Sequence, residues 1–230
     1  MSLEYLERNT AAIRERITRA AEKAGRQEPL LIAAVKYAQP EEIDYLHRVC
    51  GIDHIGENRV QQLLAHWEAI DCQGLNIHFI GSLQTNKVKY IIDKVCMIHS
   101  LDSLKLAAEI DRQAKKHGLV MDVLVEINSG AEQSKGGVLP EEAADFCAAL
   151  SAFDGLRLCG FMTMAPKCEQ KEDYLKYFGQ TYAQVLDIWS KKLHNIGKPV
   201  LSMGMSESFE EAIACGSDMI RVGRGFFVKD

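Results

Sequence analysis

Lys36 closes a six-residue apolar run, Leu30-Leu31-Ile32-Ala33-Ala34-Val35, that reads as a buried strand. An amine set against low-dielectric walls loses proton affinity and becomes a nucleophile toward carbonyl groups. About 170 residues later come Ser202-Met203-Gly204-Met205-Ser206 and then Ile220-Arg221-Val222-Gly223-Arg224-Gly225. The serine follows a glycine-containing turn, at the expected start of a helix, where backbone N–H groups face an anion. Gly223 and Gly225 permit close backbone approach. An amine that forms a Schiff base, joined to a phosphate cradle, fits two chemistries. One is pyridoxal 5'-phosphate (PLP) binding and the other a metal-free aldolase acting on a phosphorylated sugar.

Taken singly, these residues are ordinary. Most lysines are solvated, a serine before a helix is usually its N-cap, and a lone Gly-x-Gly is weak evidence. For Lys36 the bland reading is weakened by Tyr37-Ala38-Gln39, which supply no acid to pair with it.

The elements that must position them alternate along the chain. Strands are predicted at 30–35, 54–56, 76–80, 95–99, 120–127, 156–162, 200–203 and 219–222. An N-terminal helix carries Leu3, Leu6, Ile13 and Ile17 on one face and stops at Gly25. Further helices are expected at 40 onward, started by Pro40-Glu41-Glu42, and at 58–70 and 85–94. Others run from Asp102 as cap to His117, then over 140–150 and 170–192, and from Ser206 to about 215. Eight strands alternating with helices predict a single (β/α)8 TIM barrel over residues 1–230, a fold that typically takes about 250 residues. Its sites lie at the C-terminal strand ends, with phosphate after strands 7 and 8. Closure would set strand 1, with Lys36, beside strand 8.

Composition narrows the function classes. The net charge is −5 with basic and acidic residues interspersed, which argues against nucleic acid as a partner. No apolar stretch approaches the roughly 20 residues of a membrane span, and the charged N-terminus reads as neither signal nor transit peptide. Seven cysteines without Cys-x-x-Cys spacing read as reduced thiols. The seven histidines show no metal-binding spacing. A cytoplasmic, monomeric protein without a metal is expected.

Read in order, the motifs resemble the YggS/PROSC family of PLP homeostasis proteins, relatives of the N-terminal barrel of alanine racemase. The resemblance spans nearly the whole chain. It rests on Ala34-Val35-Lys36, Gly56-Glu57-Asn58, and His78-Phe79-Ile80-Gly81-x-Leu83-Gln84-x-Asn86-Lys87. It continues through Asn128 with Lys135-Gly136-Gly137, Gly160-Phe161-Met162, Leu201 to Ser206, and Arg221-Val222-Gly223. The resemblance implies that Lys36 holds PLP as a Schiff base. It also implies that Ser206 and the backbone of Gly223 and Arg224 bind the phosphate, that Arg221 lies near the pyridine nitrogen, and that Asn58 and Met203 neighbour the ring. Arg224 departs from the family, which usually has a small hydroxyl residue there. Its guanidinium either adds charge at the phosphate or points to solvent.

The resemblance also separates carrier from catalyst. Alanine racemase takes its second base from a separate C-terminal domain, for which 230 residues leave no room. An arginine at the pyridine nitrogen leaves it unprotonated and the ring a weak electron sink. A PLP-binding homeostasis protein without efficient turnover is therefore expected, with PLP-dependent apo-enzymes as partners. A weak PLP-dependent amino-acid racemase or related enzyme is the alternative.

Overall fold

In the computed structural model, which describes residues 3–130, 136–191 and 198–229, eight parallel strands close into a barrel. They are β1 (Leu30–Ala34), β2 (His54–Glu57), β3 (Asn76–Phe79), β4 (Met97–Leu101), β5 (Met121–Ile127), β6 (Leu156–Thr163), β7 (Val200–Met205) and β8 (Met219–Val222). Closure is made by β1 pairing with β8, in register from Leu30 opposite Met219 to Ala33 opposite Val222.

Among the described residues, seven α-helices surround the strands: α1 (Glu4–Ala24), α2 (Pro40–Arg48), α3 (Val60–Ala69), α4 (Leu104–Lys116), α5 (Ala143–Ala149), α6 (Lys171–Ser190) and α7 (Phe209–Ala214). Leu6, Ile13, Ile17 and Ala21 form the buried stripe of α1, which ends at Gly25 in the left-handed conformation. This helix packs against α2, α7 and the C-terminal 3₁₀ turn Arg224–Phe226, covering the face that an eighth helix would occupy. Asn9 fastens it there, its Nδ2 donating to the carbonyls of Phe226 and Val228, each at 2.9 Å.

Several boundaries differ from the sequence expectation. Residues 85–94 form a 3₁₀ segment, Thr85–Tyr90, followed by turns. Val88 within it and Ile91 and Ile92 just after it are buried in the core. Strand β4 begins two residues later than expected. The cap of α4 is Ser103, whose hydroxyl accepts from the Leu106 N–H at 3.3 Å, rather than Asp102. Ser206 does not open a helix, because α7 starts at Phe209 after Ser208. Lys36 lies two residues beyond β1, in the turn that follows. Lys135 and residue 192 fall outside the described residues.

Strand periodicity sorts side chains into two compartments. Ala33, Ile55, Ile77, Ile98, Val123, Val125, Phe161, Leu201, Ile220 and Val222 point outward to the main core beneath the helices. The opposite phase enters the lumen, where Met97, Leu124 and Met162 form a separate small cluster with Met164, Val200 and Met219 packed on it. Gly56 keeps this interior passable: a Cβ there would sit 2.7 Å from Ile80 Cδ1 and 3.1 Å from Ile32 Cγ2.

Gly160 is the tightest backbone contact. Its φ is +154°, and a Cβ would lie 2.0 Å from the Val200 carbonyl oxygen of β7. Gly160→Ala is expected to lower stability by about 3 kcal/mol or more, read from the midpoint of urea unfolding. Gly179, within α6, has nothing within 4 Å of its Cβ position, and Gly179→Ala should raise stability by about 0.5–1 kcal/mol. Equal effects of the two would contradict this packing.

Candidate functional site

A cavity of about 420 Å³ opens at the C-terminal ends of the strands. Its size suits a small molecule. The lumen phase of β1, continued past the strand, runs Ile32, Ala34, Lys36. The same phase of β2 leads to Asn58, of β3 to Ile80 and of β6 to Met164. All of these except Ile32 line the cavity. The opposite wall is built by Ser206, Arg221, Gly223 and Arg224, brought over by the β1–β8 closure. Six of the seven residues singled out from the sequence thus share one cavity. Met203 does not line it, being fully buried in the main core.

The mouth of the cavity is open to solvent. Lys36 is exposed, and its Nζ lies 4.7 Å from the centroid of the Tyr37 ring. Its carbonyl accepts from Gln62 Nε2 at 2.8 Å, which holds the turn while leaving the amine free to move. On the anion side, the Gly223 N–H donates to Ser206 Oγ at 3.2 Å. A Cβ on Gly223 would lie 3.4 Å from the Ala34 carbonyl oxygen, so any side chain there would enter the space between β1 and β8. The Arg224 guanidinium pairs with Glu207, both largely exposed and both on the cavity wall.

The floor is dry. Arg221 is 4 % exposed. Its Nη1 donates to the Ser202 carbonyl at 2.8 Å and to Ser202 Oγ at 2.6 Å, and its Nη2 donates to the Thr163 carbonyl at 3.0 Å. Burial pulls its pKa down to about 10, opposed by Glu126, so the guanidinium stays charged at neutral pH. Glu126 on β5 is itself buried. Desolvation, reinforced by Asp102 and opposed by Arg221, raises it from 4.5 to about 7. Asn58 Oδ1 is buried with no hydrogen-bond partner among the described residues, and Gly81 lets Asn58 sit there, since a Cβ on Gly81 would lie 2.2 Å from the Asn58 carbonyl oxygen.

The donor set is thus an amine at the mouth, a hydroxyl with backbone N–H groups on one wall, an unsatisfied amide oxygen and a buried cation at the floor. It fits a flat molecule bearing a carbonyl, a phosphate and a ring acceptor. Glu126 and Thr163 were not signalled by sequence, and Ser202 stood in a quoted motif without an expected role. Each is an isolated polar residue in an apolar strand, and only their shared lumen phase, read against Arg221, could have singled out Glu126 and Ser202.

Because the Glu126 pKa is raised on folding, the proton it holds stabilises the folded state below pH 4.5. That contribution is lost as pH rises toward 7. Glu126→Gln removes the titration. Relative to its own value at pH 4.5, its stability advantage over the parent protein should grow by about 3 kcal/mol at pH 8, measured by denaturant unfolding across pH. A constant difference across that range would show that Glu126 titrates normally.

Comparison with known proteins agrees with this geometry. Residues 9–229 match the family model described as alanine racemase, N-terminal domain. A protein of Aquifex aeolicus named pyridoxal phosphate homeostasis protein is 43 % identical over 215 residues, covering 93 % of each chain. One of the same name from Escherichia coli K12 is 32 % identical over 229 residues, covering 95 % of this chain and 94 % of the relative. PipY of Synechococcus elongatus, solved without PLP, superposes with a TM-score of 0.86 at 27 % identity over 97 % of this chain and all of PipY. Its structure with PLP bound gives 0.83 at 26 % identity over the same shares. With a family model spanning nearly the whole barrel and relatives aligned along its length, the chain belongs to the alanine racemase N-terminal domain family, among the pyridoxal phosphate homeostasis proteins.

Proposed function

We propose that this protein binds PLP in the strand-end cavity, holds it as a Schiff base on Lys36, and serves in intracellular PLP homeostasis by carrying the cofactor for apo-enzymes. The observation that carries this reading is the convergence of Lys36, Ser206, Gly223 and Arg221 on one cavity from opposite ends of the sequence. The relatives' names and the PLP-bound structure of PipY support it.

The residues fit the group. The wall of Ser206 and the Gly223 and Arg224 N–H groups would take the phosphate, and Arg221 would face the pyridine nitrogen. When bound, PLP supplies a carbonyl carbon reactive toward amines. Everything else is done by the chain. Lys36, exposed at the mouth, can be reached by an incoming amine. Arg221 offers hydrogen-bond donors without a readily lost proton, which leaves the ring nitrogen unprotonated and disfavours carbanion chemistry. That environment suits holding and releasing a cofactor more than turning over a substrate.

Borohydride reduction of the PLP-loaded protein followed by peptide mapping should place the adduct on Lys36, and Lys36→Ala should abolish the absorbance of the bound cofactor. An adduct on Lys87 or Lys135 would overturn the assignment.

The phosphate anchor is mostly backbone in this reading, because Arg224 is committed to Glu207. Ser206→Ala should weaken PLP binding by about 1 kcal/mol, and by no more than about 3 if its hydroxyl serves the charged acceptor directly. Equilibrium titration with PLP decides it, and an unchanged affinity would place the phosphate elsewhere.

A further inference from the structure

Three histidines cross the barrel lumen in single file. His54 Nδ1 lies 2.9 Å from His78 Nε2, and His78 Nδ1 lies 2.9 Å from His99 Nε2. His99 Nδ1 lies 3.1 Å from Ser202 Oγ, the atom that accepts from Arg221 Nη1 at 2.6 Å. His78 and His99 are buried, Ser202 is fully buried, and His54 is half-buried at the start of β2. The proposed function uses none of the three rings, yet buried polar groups in a line this complete must satisfy one another.

The hydrogen-bond inventory sets the direction of the line. Arg221 can only donate. The Ser202 hydroxyl carries one proton, and its one other partner among the described residues is His99 Nδ1. If His99 donated to it, Ser202 would receive two donors and its own proton would be stranded in a fully buried site, at the expense of an unmade bond. Ser202 therefore donates to His99 Nδ1. The His99 proton then sits on Nε2 and is donated to His78 Nδ1, and His78 Nε2–H is donated to His54 Nδ1. Every dipole in the line points its negative end toward Arg221. Burial keeps the rings neutral: His78 is pushed down to about 3 and His99 well below the usual histidine range.

We infer that His54, His78, His99 and Ser202 form one polarised hydrogen-bond chain whose aligned dipoles solvate the Arg221 charge and so position the guanidinium facing the bound ligand. The three histidines are positioning residues acting through Ser202. The part of this inference that concerns the ligand rests on the PLP reading above, whereas the chain's polarity does not. Glu126, held partly protonated at neutral pH, cannot neutralise Arg221 fully, which leaves this role open.

The test has two arms. Long-range ¹H–¹⁵N correlation of the full-length, PLP-free protein at pH 7.5 should show His54, His78 and His99 as neutral Nε2–H tautomers. A proton on His99 Nδ1, or a charged ring at His78 or His99, would overturn the chain. In the second arm, glutamine at His99 keeps an acceptor toward Ser202 and a donor toward His78, whereas leucine keeps only bulk. His99→Leu should raise the Kd for PLP about tenfold or more, and His99→Gln should stay within about threefold of the parent protein. Equal losses in both variants, or none in His99→Leu, would refute the positioning role. Should His99→Leu fail to fold, Ser202→Ala cuts the same chain with one atom removed and should show the same tenfold loss. A parent protein that bound no PLP would sink the cofactor reading while the tautomer arm still judged the chain.

Discussion

Everything at the strand-end cavity depends on the pairing of β1 with β8. Four residue pairs, from Leu30–Met219 to Ala33–Val222, close the barrel and thereby set Lys36 opposite Gly223 and Arg221. Parallel pairing requires a long crossover between neighbouring strands, and here that connection is the rest of the chain. The ends are then stapled from outside. Asn9 of α1 holds the carbonyls of Phe226 and Val228, and Lys229 pairs with Glu42 of α2 at 3.0 Å. Glu42 also accepts from the Tyr5 hydroxyl and from the Gln39 backbone N–H. These terminal contacts bear on function because the last strand and the turn after it bring Arg221, Gly223 and Arg224 to the cavity.

Closure also creates the lumen, and the lumen has an unusual filling. Small barrels are ordinarily packed with branched apolar side chains. Here methionines and Leu124 occupy one part, while histidines, Ser202, Glu126 and Arg221 occupy another. Burying a cation is expensive unless it is hydrogen-bonded and compensated. Arg221 answers with three donated hydrogen bonds and a carboxyl nearby that is itself reluctant to ionise. The result is a dry, hydrogen-bonded floor beneath a mouth lined by an exposed lysine. The two ends of the cavity thus differ in dielectric environment, a contrast suited to gripping one end of a ligand and leaving the other reactive.

Much of this was legible beforehand. The order of strands follows from short apolar runs separated by helical periods, and the position of Lys36 follows from the same two-residue phase as Ile32 and Ala34. Gly25 stops α1 and Pro40 starts α2 through local backbone chemistry that needs no partner. The ordered motifs from Ala34-Val35-Lys36 to Arg221-Val222-Gly223 sufficed to suggest the family, because several mark strand ends on the side where barrels carry their sites.

Other features were decided only by the closed barrel. Thr85–Tyr90 winds as a 3₁₀ segment where an α-helix was expected, with Val88, Ile91 and Ile92 all buried. Ser206 lies in a turn with its hydroxyl against the Gly223 N–H, and Arg224 pairs with Glu207, a residue 17 positions away. The line from His54 to Arg221 joins strands 2, 3, 4, 7 and 8, with His99 and Ser202 separated by 103 positions. Periodicity and capping act over a few residues, so they determine which elements form and which face each presents. Which polar groups meet across the lumen is set by strand stagger and by the need of each buried donor to find an acceptor, and those are properties of the assembled barrel alone.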